Sequence, residues 1–526
     1  MTVDRDDGSL LDVLRDEFGL HGAKDGCAPQ GQCGCCTVWV DGDPRVACVT
    51  PVRRVADRSI ETIEGLDSEW AQRWSIAFCA TGATQCGFCT PGIVMRLEGL
   101  RRRGDLADEA AVGRALAAHL CRCTGWRPIF DAASSVAGGA DTDRPERDLE
   151  AAGRRATLEG GAPQRVSPAV ALGRGGFSAD TAPEGSVIAM LDANGEWVTS
   201  ETMVELRVRS RRVQGRRTTL APSVPLEIPA PSRAGEWAIE LATTWVEPGY
   251  LECDAAWCEP GGSPSTTLAN GGAFGAKIDS PVIDAAARLA GELDRPVLAL
   301  LTREDVVRLG PKRPPMAFGI RSDGTGVMRV ARTAGIIEAV ASVAPGIEVI
   351  EVDVLGPPTS CDLRGAGWIE AAIGVAAATG SDTITSPAGA TASAAIHTDQ
   401  RGHDGLMLAP SISVRVDCGE VLDAVTLRSA CVGAAHQALG WVTSEGLTID
   451  GHGEPVDLTI RSFGIVRPSD MALVDVELVE SDRPAVNGSD AVLAAVGLAI
   501  WKHQGFPRSW PTGHPLGSVE QSEETS

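Results

Sequence analysis

The spacing of apolar residues divides the chain into regions with different predicted secondary structure. In residues 9–20 the apolar side chains lie mainly on one side of a short helix, which Gly19 would end. Alternation from Thr37 onward, with an Asp41-Gly42 turn, predicts a β-hairpin. Between residues 68 and 137 the apolar period becomes 3.6, with Pro91 near the start of the second helix. We therefore predict a β-grasp module over residues 1–65 and a helical module over residues 66–137.

The second part of the chain shows a mixed pattern. Residues 138–168 are rich in Gly, Pro and charge and contain no aromatic residue, which is typical of an interdomain linker. Beyond them, the runs SVIAMLD, TMVELRVRS and EWAIELATTWVE predict strands. PVIDAAARLAGEL and EVLDAVTLRSACVGAAHQAL predict helices. The fold class predicted for the whole chain is α+β, in several domains.

Length and charge narrow the functional classes. A chain of 526 residues is too long for one hydrophobic core. The formal net charge of −23 argues against binding to nucleic acid or to an anionic membrane surface. The first residues are acidic where a secretory signal would be basic, and no run of about eighteen apolar residues follows. We expect a cytoplasmic protein with no membrane insertion.

A first set of cysteines lies in one glycine-bearing loop and the hairpin after it. Cys27, Cys33, Cys36 and Cys48 are close to the plant-type [2Fe-2S] spacing, with one extra residue in the first gap. Cys35 stands beside Cys36, but its use would shorten the second gap, so we leave it outside the set. A zinc ribbon is the alternative, although it usually presents two well-separated CxxC pairs. The spacing favours an iron-sulfur cluster.

A second set of cysteines lies in the helical module. Cys86 and Cys89 form a CxxC at a predicted helix start, and Cys121 and Cys123 form a CxC at the end of another helix. Taken alone, this pattern is compatible with zinc or with a redox dithiol. Its position directly after a ferredoxin-like loop favours a second cluster.

The segments GCAPQGQCGCCTV, ATQCGFCTPGIVM and LCRCTG resemble the small iron-sulfur subunit of the xanthine dehydrogenase, aldehyde oxidase and aerobic CO dehydrogenase family. The resemblance covers nearly all of residues 9–135. It implies that the first cysteine set binds the cluster that faces a flavin partner and the second set binds the cluster nearest the molybdopterin, with Gln85 at a pterin contact. Family members usually have a strand pair before the first helix, so either the sheet is trimmed here or the chain begins late.

The remainder contains, in order, WVEPGYLECDAAW, NGGAFGAK, RPVLALLTREDVVRLGPKRPP and CDLRGAGWIEAA. With these segments it resembles a shortened form of the family's molybdopterin-binding subunit. The resemblance implies a shortened hammerhead-like region over residues 169–245 and a degenerate molybdopterin-binding-like domain over residues 246–518. Two family motifs are missing from it, a GQG-type loop and the Gly-x-Gly-Glu run that supplies the general base. Asp490 is the weak candidate for that base, or else a helix N-cap. Arg364 either orients substrate or, as we prefer, holds a turn. The possible molybdopterin contacts are Gly271, Gly272, Phe274 and Gly275.

Three hypotheses follow. The leading one is an electron-transfer subunit with two [2Fe-2S] clusters, which relays electrons between a separate molybdopterin catalytic subunit and a separate FAD subunit in a hetero-oligomer. This hypothesis rests on the missing motifs and on the lack of a flavin-binding segment in the sequence. The second is a self-contained compact molybdenum hydroxylase that oxidises a heterocycle or an aldehyde. The third is a structural or assembly protein whose clusters never exchange electrons. The sequence does not identify the substrate.

Overall fold

The computed structural model describes residues 7–139, 147–211, 220–265, 272–398 and 409–516. A capping box between Ser9 and Asp12 begins the first helix, which continues as a π-helical turn over Val13–Glu17. Gly82 and Gly104, both in the left-handed conformation, end the next two helices. The elements of this part are α1 (Leu10–Asp12), β1 (Thr37–Val40), β2 (Asp43–Val46), β3 (Ile60–Glu61), α2 (Ser68–Thr81), α3 (Thr90–Arg103), α4 (Glu109–Leu116) and α5 (Arg127–Ala137).

The predicted hairpin is present, because β1 and β2 pair antiparallel with Trp39 opposite Pro44. β3 pairs with the other edge of β1, so the sheet order is β2-β1-β3. The indole of Trp39 is fully buried and donates to the carbonyl of Met95 on α3, at 3.0 Å. This contact fixes the small sheet against the helical module, which begins where the apolar pattern changes near residue 68.

The rest of the chain forms mixed sheets covered by helices. Its elements are α6 (Leu149–Gly160), α7 (Pro168–Ala171), α8 (Ser178–Thr181), β4 (Val187–Leu191), β5 (Trp197–Ser200), α9 (Met203–Ser210), β6 (Ile239–Thr243), β7 (Ala255–Cys258), α10 (Val282–Leu293), β8 (Val297–Leu300), α11 (Arg303–Leu309), β9 (Met316–Ile320), β10 (Gly326–Ala331), α12 (Ile336–Ala341), β11 (Ile347–Val352), α13 (Trp368–Thr379), β12 (Thr383–Thr385), β13 (Thr391–His397), β14 (Ser411–Asp417), α14 (Ala424–Thr443), β15 (Leu473–Val479), α15 (Ser489–His503) and β16 (Ser509–Trp510).

Three further sheets hold these strands, in the orders β5-β4-β8-β7, β11-β10-β9-β6-β16 and β12-β13-β14-β15. Each combines parallel and antiparallel neighbours, as β4 shows by pairing parallel with β8 and antiparallel with β5. The predicted α+β class is therefore confirmed, while the finer division into named domains stays a prediction. In the described part of the chain, no helix is both long enough and apolar enough to cross a bilayer.

Two segments differ from the expectations. TMVELRVRS, predicted as a strand, is the helix α9, because the side chain of Thr202 caps its first turn and Arg207 forms a 2.6 Å ion pair with Asp12. The expected linker over residues 138–168 contains the helix α6. Arg155 of that helix is fully buried, pairs with Glu159 at 3.0 Å and donates to the carbonyl of Val486. Local contacts and contacts distant in sequence thus stabilise both helices together.

Candidate functional site

The first cysteine set is brought together as predicted. Cys27, Cys33, Cys36 and Cys48 are all at most 5 % exposed. The Cys27 thiol is in hydrogen-bonding contact with those of Cys33 and Cys48, and Cys48 is in contact with Cys36 in turn. The hydrogen bonds with Cys33 and Cys48 hold the pKa of the Cys27 thiol well below its usual value. Four buried thiols in mutual contact suit a cluster that needs thiolate ligands.

Backbone amides surround these sulfurs. The amides of Gln30 and Gln32 donate to the Cys27 sulfur at 3.2 and 3.5 Å, and the amide of Cys48 donates to the Cys36 sulfur at 3.4 Å. Amide donors of this kind stabilise charge on cluster sulfurs. A Cβ at Gly26 would lie 3.1 Å from the Cys33 sulfur, so glycine leaves room for the set.

The second cysteine set also converges. Cys86 lies 3.5 Å from Cys123, sulfur to sulfur, and Cys89 is in hydrogen-bonding contact with Cys121. Cys89 is the residue directly before α3, and the CxC lies between α4 and α5. The contact with Cys89 lowers the pKa of the Cys121 thiol to about 6, with further help from the hydroxyl of Thr124. The set thus has a thiol that ionises readily, as a metal ligand must.

The two sets lie close to each other. The amide of Leu120, the residue before Cys121, donates to the carbonyl of Cys33 at 3.0 Å. A Cβ at Gly92 of α3 would lie 2.4 Å from the carbonyl of Gly34, so this helix touches the first loop. His119 contacts the hydroxyl of Thr37 at 3.2 Å, and burial lowers the pKa of its imidazole to about 3. The imidazole is therefore neutral between the sets.

The CxC loop packs against the helix α14, a contact that the sequence did not predict. A Cβ at Gly433 would lie 1.8 Å from the carbonyl of Cys123, so only glycine allows this approach. The Gln85 amide donates to that same carbonyl and to the hydroxyl of Ser429, both at 2.9 Å. Gln85 therefore joins the CxxC, the CxC and α14.

A buried ion pair ties the same loop to the second half of the chain. The guanidinium of Arg122, between the two cysteines of the CxC, donates to both carboxylate oxygens of Glu445 at 2.5 and 2.7 Å. Both side chains are almost completely buried. An arginine inside the CxC was the only signal in the sequence for this pair; its partner is 323 residues away.

The candidate molybdopterin residues lie beside the second set. Gly271 lies outside the described residues. Gly272 has φ +65°, and a Cβ there would lie 2.3 Å from the Cys123 sulfur. Gly275 has φ +95°, and a Cβ there would lie 2.0 Å from the carbonyl of Asp362. Gly272 and Gly275 are therefore needed for close packing within the chain itself.

Phe274 also borders this region, where Gly272, Gly275, Arg364 and Asp490 line a cavity of about 270 Å³. Asp490 is the second residue of α15, whose N-cap is Gly488, so the N-cap interpretation of Asp490 is wrong. The Asp490 carboxylate accepts from Arg364 at 2.8 Å. Arg364 also donates to Gln437 and Ser489, and it stacks on the Phe274 ring.

The charges around this cavity do not suit an anionic pterin cofactor. Arg364 and Lys277 are the cationic side chains lining its described part. Arg364 is paired with Asp490, and Lys277 with Glu252 at 2.7 Å. To bind a phosphate, Arg364 would have to give up its pair with the partly buried Asp490, or Lys277 its pair with the buried Glu252, which is the more costly. The cavity is also slightly smaller than most small-molecule sites, which start at about 300 Å³.

Iron-sulfur clusters, by contrast, fit the two sulfur sets. Within the described ranges, no three His, Cys, Asp or Glu side chains are arranged around one ion. A [2Fe-2S] cluster spreads four thiolates over two irons, so the pairwise sulfur contacts and the amide donors are the relevant geometry. Both sets provide the pairwise contacts and backbone hydrogen bonds to sulfur.

Comparisons with known proteins agree with this arrangement. Residues 62–134, which include the second set, match the [2Fe-2S] binding domain family. A probable xanthine dehydrogenase subunit of Bacillus subtilis is 39% identical over 127 residues, 24% of this chain and 73% of that protein. The chain belongs to the xanthine dehydrogenase and aldehyde oxidase family of molybdenum hydroxylases, which are oxidoreductases.

Two further similarities are to aldehyde oxidoreductases. The aldehyde oxidoreductase of Megalodesulfovibrio gigas is 42% identical over 149 residues, 27% of this chain but only 16% of that protein. The solved aldehyde oxidoreductase of Desulfovibrio gigas superposes with a TM-score of 0.67 at 15% identity, covering 98% of both chains. At that identity the structural match shows a shared fold. The stronger sequence similarity spans about a quarter of this chain.

Proposed function

We propose that the chain is the iron-sulfur electron-transfer subunit of a molybdenum-hydroxylase-type oxidoreductase, with one [2Fe-2S] cluster on each cysteine set. The observation that carries the proposal is the convergence of eight buried or half-buried cysteines into two adjacent groups. When bound, each cluster accepts and returns single electrons. The ligands of the first cluster are Cys27, Cys33, Cys36 and Cys48, and those of the second are Cys86, Cys89, Cys121 and Cys123.

The protein between the sets supports transfer from one to the other. The hydrogen bond from Leu120 to the carbonyl of Cys33 links the backbone next to Cys121 directly to a ligand of the first set. The surroundings are buried and the His119 imidazole is neutral, so few charges or waters need to reorganise when an electron moves. With clusters bound, the second set, which borders the cavity of Gly272, would accept electrons and the first set would pass them on.

In the proposed assembly the molybdopterin and the FAD are bound by partner subunits. The paired charges of Arg364 and Lys277 support this, since neither cation is available to a phosphate without breaking an ion pair. Several relatives are named as single subunits, among them the nicotinate dehydrogenase small FeS subunit of Eubacterium barkeri. The substrate is then selected by a partner.

A second candidate function, a self-contained hydroxylase with Asp490 as base, is favoured by one observation. The cavity holding Asp490 and Phe274 lies directly beside the second sulfur set. Against it, the Asp490 carboxylate is engaged by Arg364 at 2.8 Å. A carboxylate that already pairs with Arg364 is less available to act on a substrate.

Metal analysis combined with EPR of the dithionite-reduced chain tests the proposal. The chain is expressed alone in a host that makes molybdopterin. About four irons per chain, two distinct EPR signals and no molybdenum are expected. Stoichiometric molybdenum would support the self-contained hydroxylase. Clusters that dithionite cannot reversibly reduce would support a structural or assembly protein, and zinc without iron would refute the proposal.

A further inference from the structure

Arg303, the first residue of α11, lies fully buried against the loop of the first cysteine set. Its Nη2 donates to the carbonyl of Gly26 and to the carbonyl of Leu251, both at 2.8 Å. Gly26 directly precedes Cys27, a proposed ligand of the first cluster. The guanidinium is therefore held next to this set, although 277 residues separate Arg303 from Gly26 in the sequence.

The charge of Arg303 has no ion-pair partner in the described part of the chain. Its Nε and Nη1 have no hydrogen-bond acceptor among those residues. Glu247 interacts with the guanidinium electrostatically, but Glu247 already forms an ion pair with Lys312 at 2.9 Å. The ring of Tyr250 lies 5.7 Å from the guanidinium carbon. Arg303 is thus a buried cation whose charge the described side chains leave largely uncompensated.

A cluster on the first set would supply the negative charge that Arg303 lacks. A buried cation is costly unless an anion lies nearby, because it has lost its hydration. A [2Fe-2S] cluster with four thiolate ligands is negatively charged, and reduction adds one more negative charge. A fixed cation beside the cluster therefore stabilises the reduced state more than the oxidised state. Arginine suits this role, because it keeps its charge in proteins.

Other contacts hold the same loop in place. The side-chain amide of Gln30 donates to the carboxylate of Glu304, the next residue of α11, at 2.8 Å. The guanidinium of Arg461 donates to the carbonyl of Gln32 at 2.9 Å. These two glutamines carry the backbone amides that donate to a sulfur of the first set. The loop should therefore keep its position when Arg303 is replaced, so that the main change beside it is the loss of charge.

We propose that Arg303 is a positioning residue for the first cluster and that its fixed positive charge beside Gly26 raises the reduction potential of that cluster. A higher potential at the first cluster favours electron flow from the second cluster to the first. The second half of the chain would thus contribute to electron transfer through α11. The inference rests on the proposed function, because it requires a cluster on the first set.

An EPR-monitored redox titration of the full-length chain with its clusters tests this role. Arg303→Gln keeps a hydrogen-bond donor in the side chain but removes the charge, whereas Arg303→Lys keeps the charge. Arg308→Gln is the matched control, because it removes a cation from the same helix whose side chain is 41 % exposed. Cys89→Ser, which removes a proposed ligand of the second set, assigns the two signals.

The expected result is a lower first-cluster potential in Arg303→Gln, with the second signal shifted less, because Arg303 contacts the loop of the first set. We expect the equilibrium constant for one-electron reduction to fall roughly tenfold, which corresponds to about 59 mV. Arg303→Lys should retain most of the wild-type potential. Arg308→Gln should leave both potentials nearly unchanged, because water and salt screen an exposed charge.

Three outcomes would overturn the inference while leaving the proposed function intact. These are an unchanged first-cluster potential in Arg303→Gln, an Arg303→Lys potential as low as that of Arg303→Gln, and loss of the first signal in both variants. If Arg303→Gln alone lost the first signal, a wild-type potential in Arg303→Lys would support the inference and a lowered one would overturn it. A wild-type chain without iron or without reducible clusters would instead refute the proposed function itself.

Discussion

The two sulfur sets lie in a first region, residues 7–139, and the cavity lined by Gly272, Arg364 and Asp490 lies in a second region, the chain from residue 147 onward. Polar groups line both sites, but those groups have different partners. In the first region, Cys27 and Cys33 have one another and backbone amides as neighbours. At the cavity, Arg364 and Lys277 already form ion pairs with carboxylates. Thiols whose main neighbours are other thiols can all bind a cofactor without breaking an ion pair. Paired cations cannot, which is why we place the clusters in this chain and the pterin elsewhere.

The largest expected effect comes from replacing a single proposed ligand of the second sulfur set. In Cys89→Ser, serine is a poor ligand for iron, so the second cluster should be lost while the first remains. Iron should fall by about half, and one of the two EPR signals should disappear. The matched controls are Cys79→Ser, a half-buried cysteine of α2 outside both sets, and Asp490→Asn at the cavity. Retention of full iron and both signals in Cys89→Ser would remove Cys89 from the ligand set.

The sequence predicts that the cysteines of each set converge and predicts most of the named strands and helices of the second region, but it misses α6 and α9, for a physical reason. The ligands of each set are close in sequence, with glycines such as Gly26 at the bends, and the hairpin from Thr37 follows from local alternation. The helix α9, in contrast, depends on an ion pair between Asp12 and Arg207, which are 195 residues apart. No local pattern encodes that ion pair, and the local helix signal of the Thr202 cap is weaker than the apolar pattern of TMVELRVRS, which predicts a strand where the structure has a helix.

A second prediction concerns the ion pair that joins the two regions. In Glu445→Gln the Arg122 guanidinium stays buried without a compensating charge. Breaking one partner of a buried pair costs about 3–5 kcal/mol, so the free energy of unfolding should fall by that amount. Urea unfolding of the chain with its clusters measures it.

The exposed pair of Arg154 and Glu150, at 3.2 Å, provides the matched control. Glu150→Gln should cost less than about 1 kcal/mol, because both side chains are solvated. Equal effects of Glu445→Gln and Glu150→Gln would show that the two regions are not held together by Arg122.

The pH dependence of stability tests the pair that Lys277 forms with Glu252 beside the cavity. Burial raises the pKa of its partner, the Glu252 carboxyl, from 4.5 to about 7. The folded state therefore keeps this proton where the unfolded state has lost it, so the stabilisation is complete below about pH 4.5 and is lost as the pH rises to about 7. The loss amounts to about 3 kcal/mol at most.

Thermal unfolding of the wild type and of Glu252→Gln across this pH window measures the contribution. The wild type should lose stability relative to Glu252→Gln as the pH rises, since glutamine does not titrate. Glu259→Gln, at an exposed carboxylate, should follow the wild-type profile. Parallel profiles for the wild type and Glu252→Gln would mean that the Glu252 carboxylate is ionised throughout, as a fixed partner of Lys277.

The smallest expected effect concerns Gln85, which contacts both regions. The family resemblance gives it a pterin contact, whereas here its amide nitrogen donates to the carbonyl of Cys123 and the hydroxyl of Ser429. Gln85→Ala should therefore lower the free energy of unfolding by about 1–2 kcal/mol, from two hydrogen bonds, with both EPR signals retained. Gln72→Ala, on the exposed face of α2, should cost much less. If Gln85→Ala left stability unchanged but reduced electron transfer from a molybdenum-containing partner, Gln85 would act at the cofactor. It would then not serve as a structural contact between the two regions.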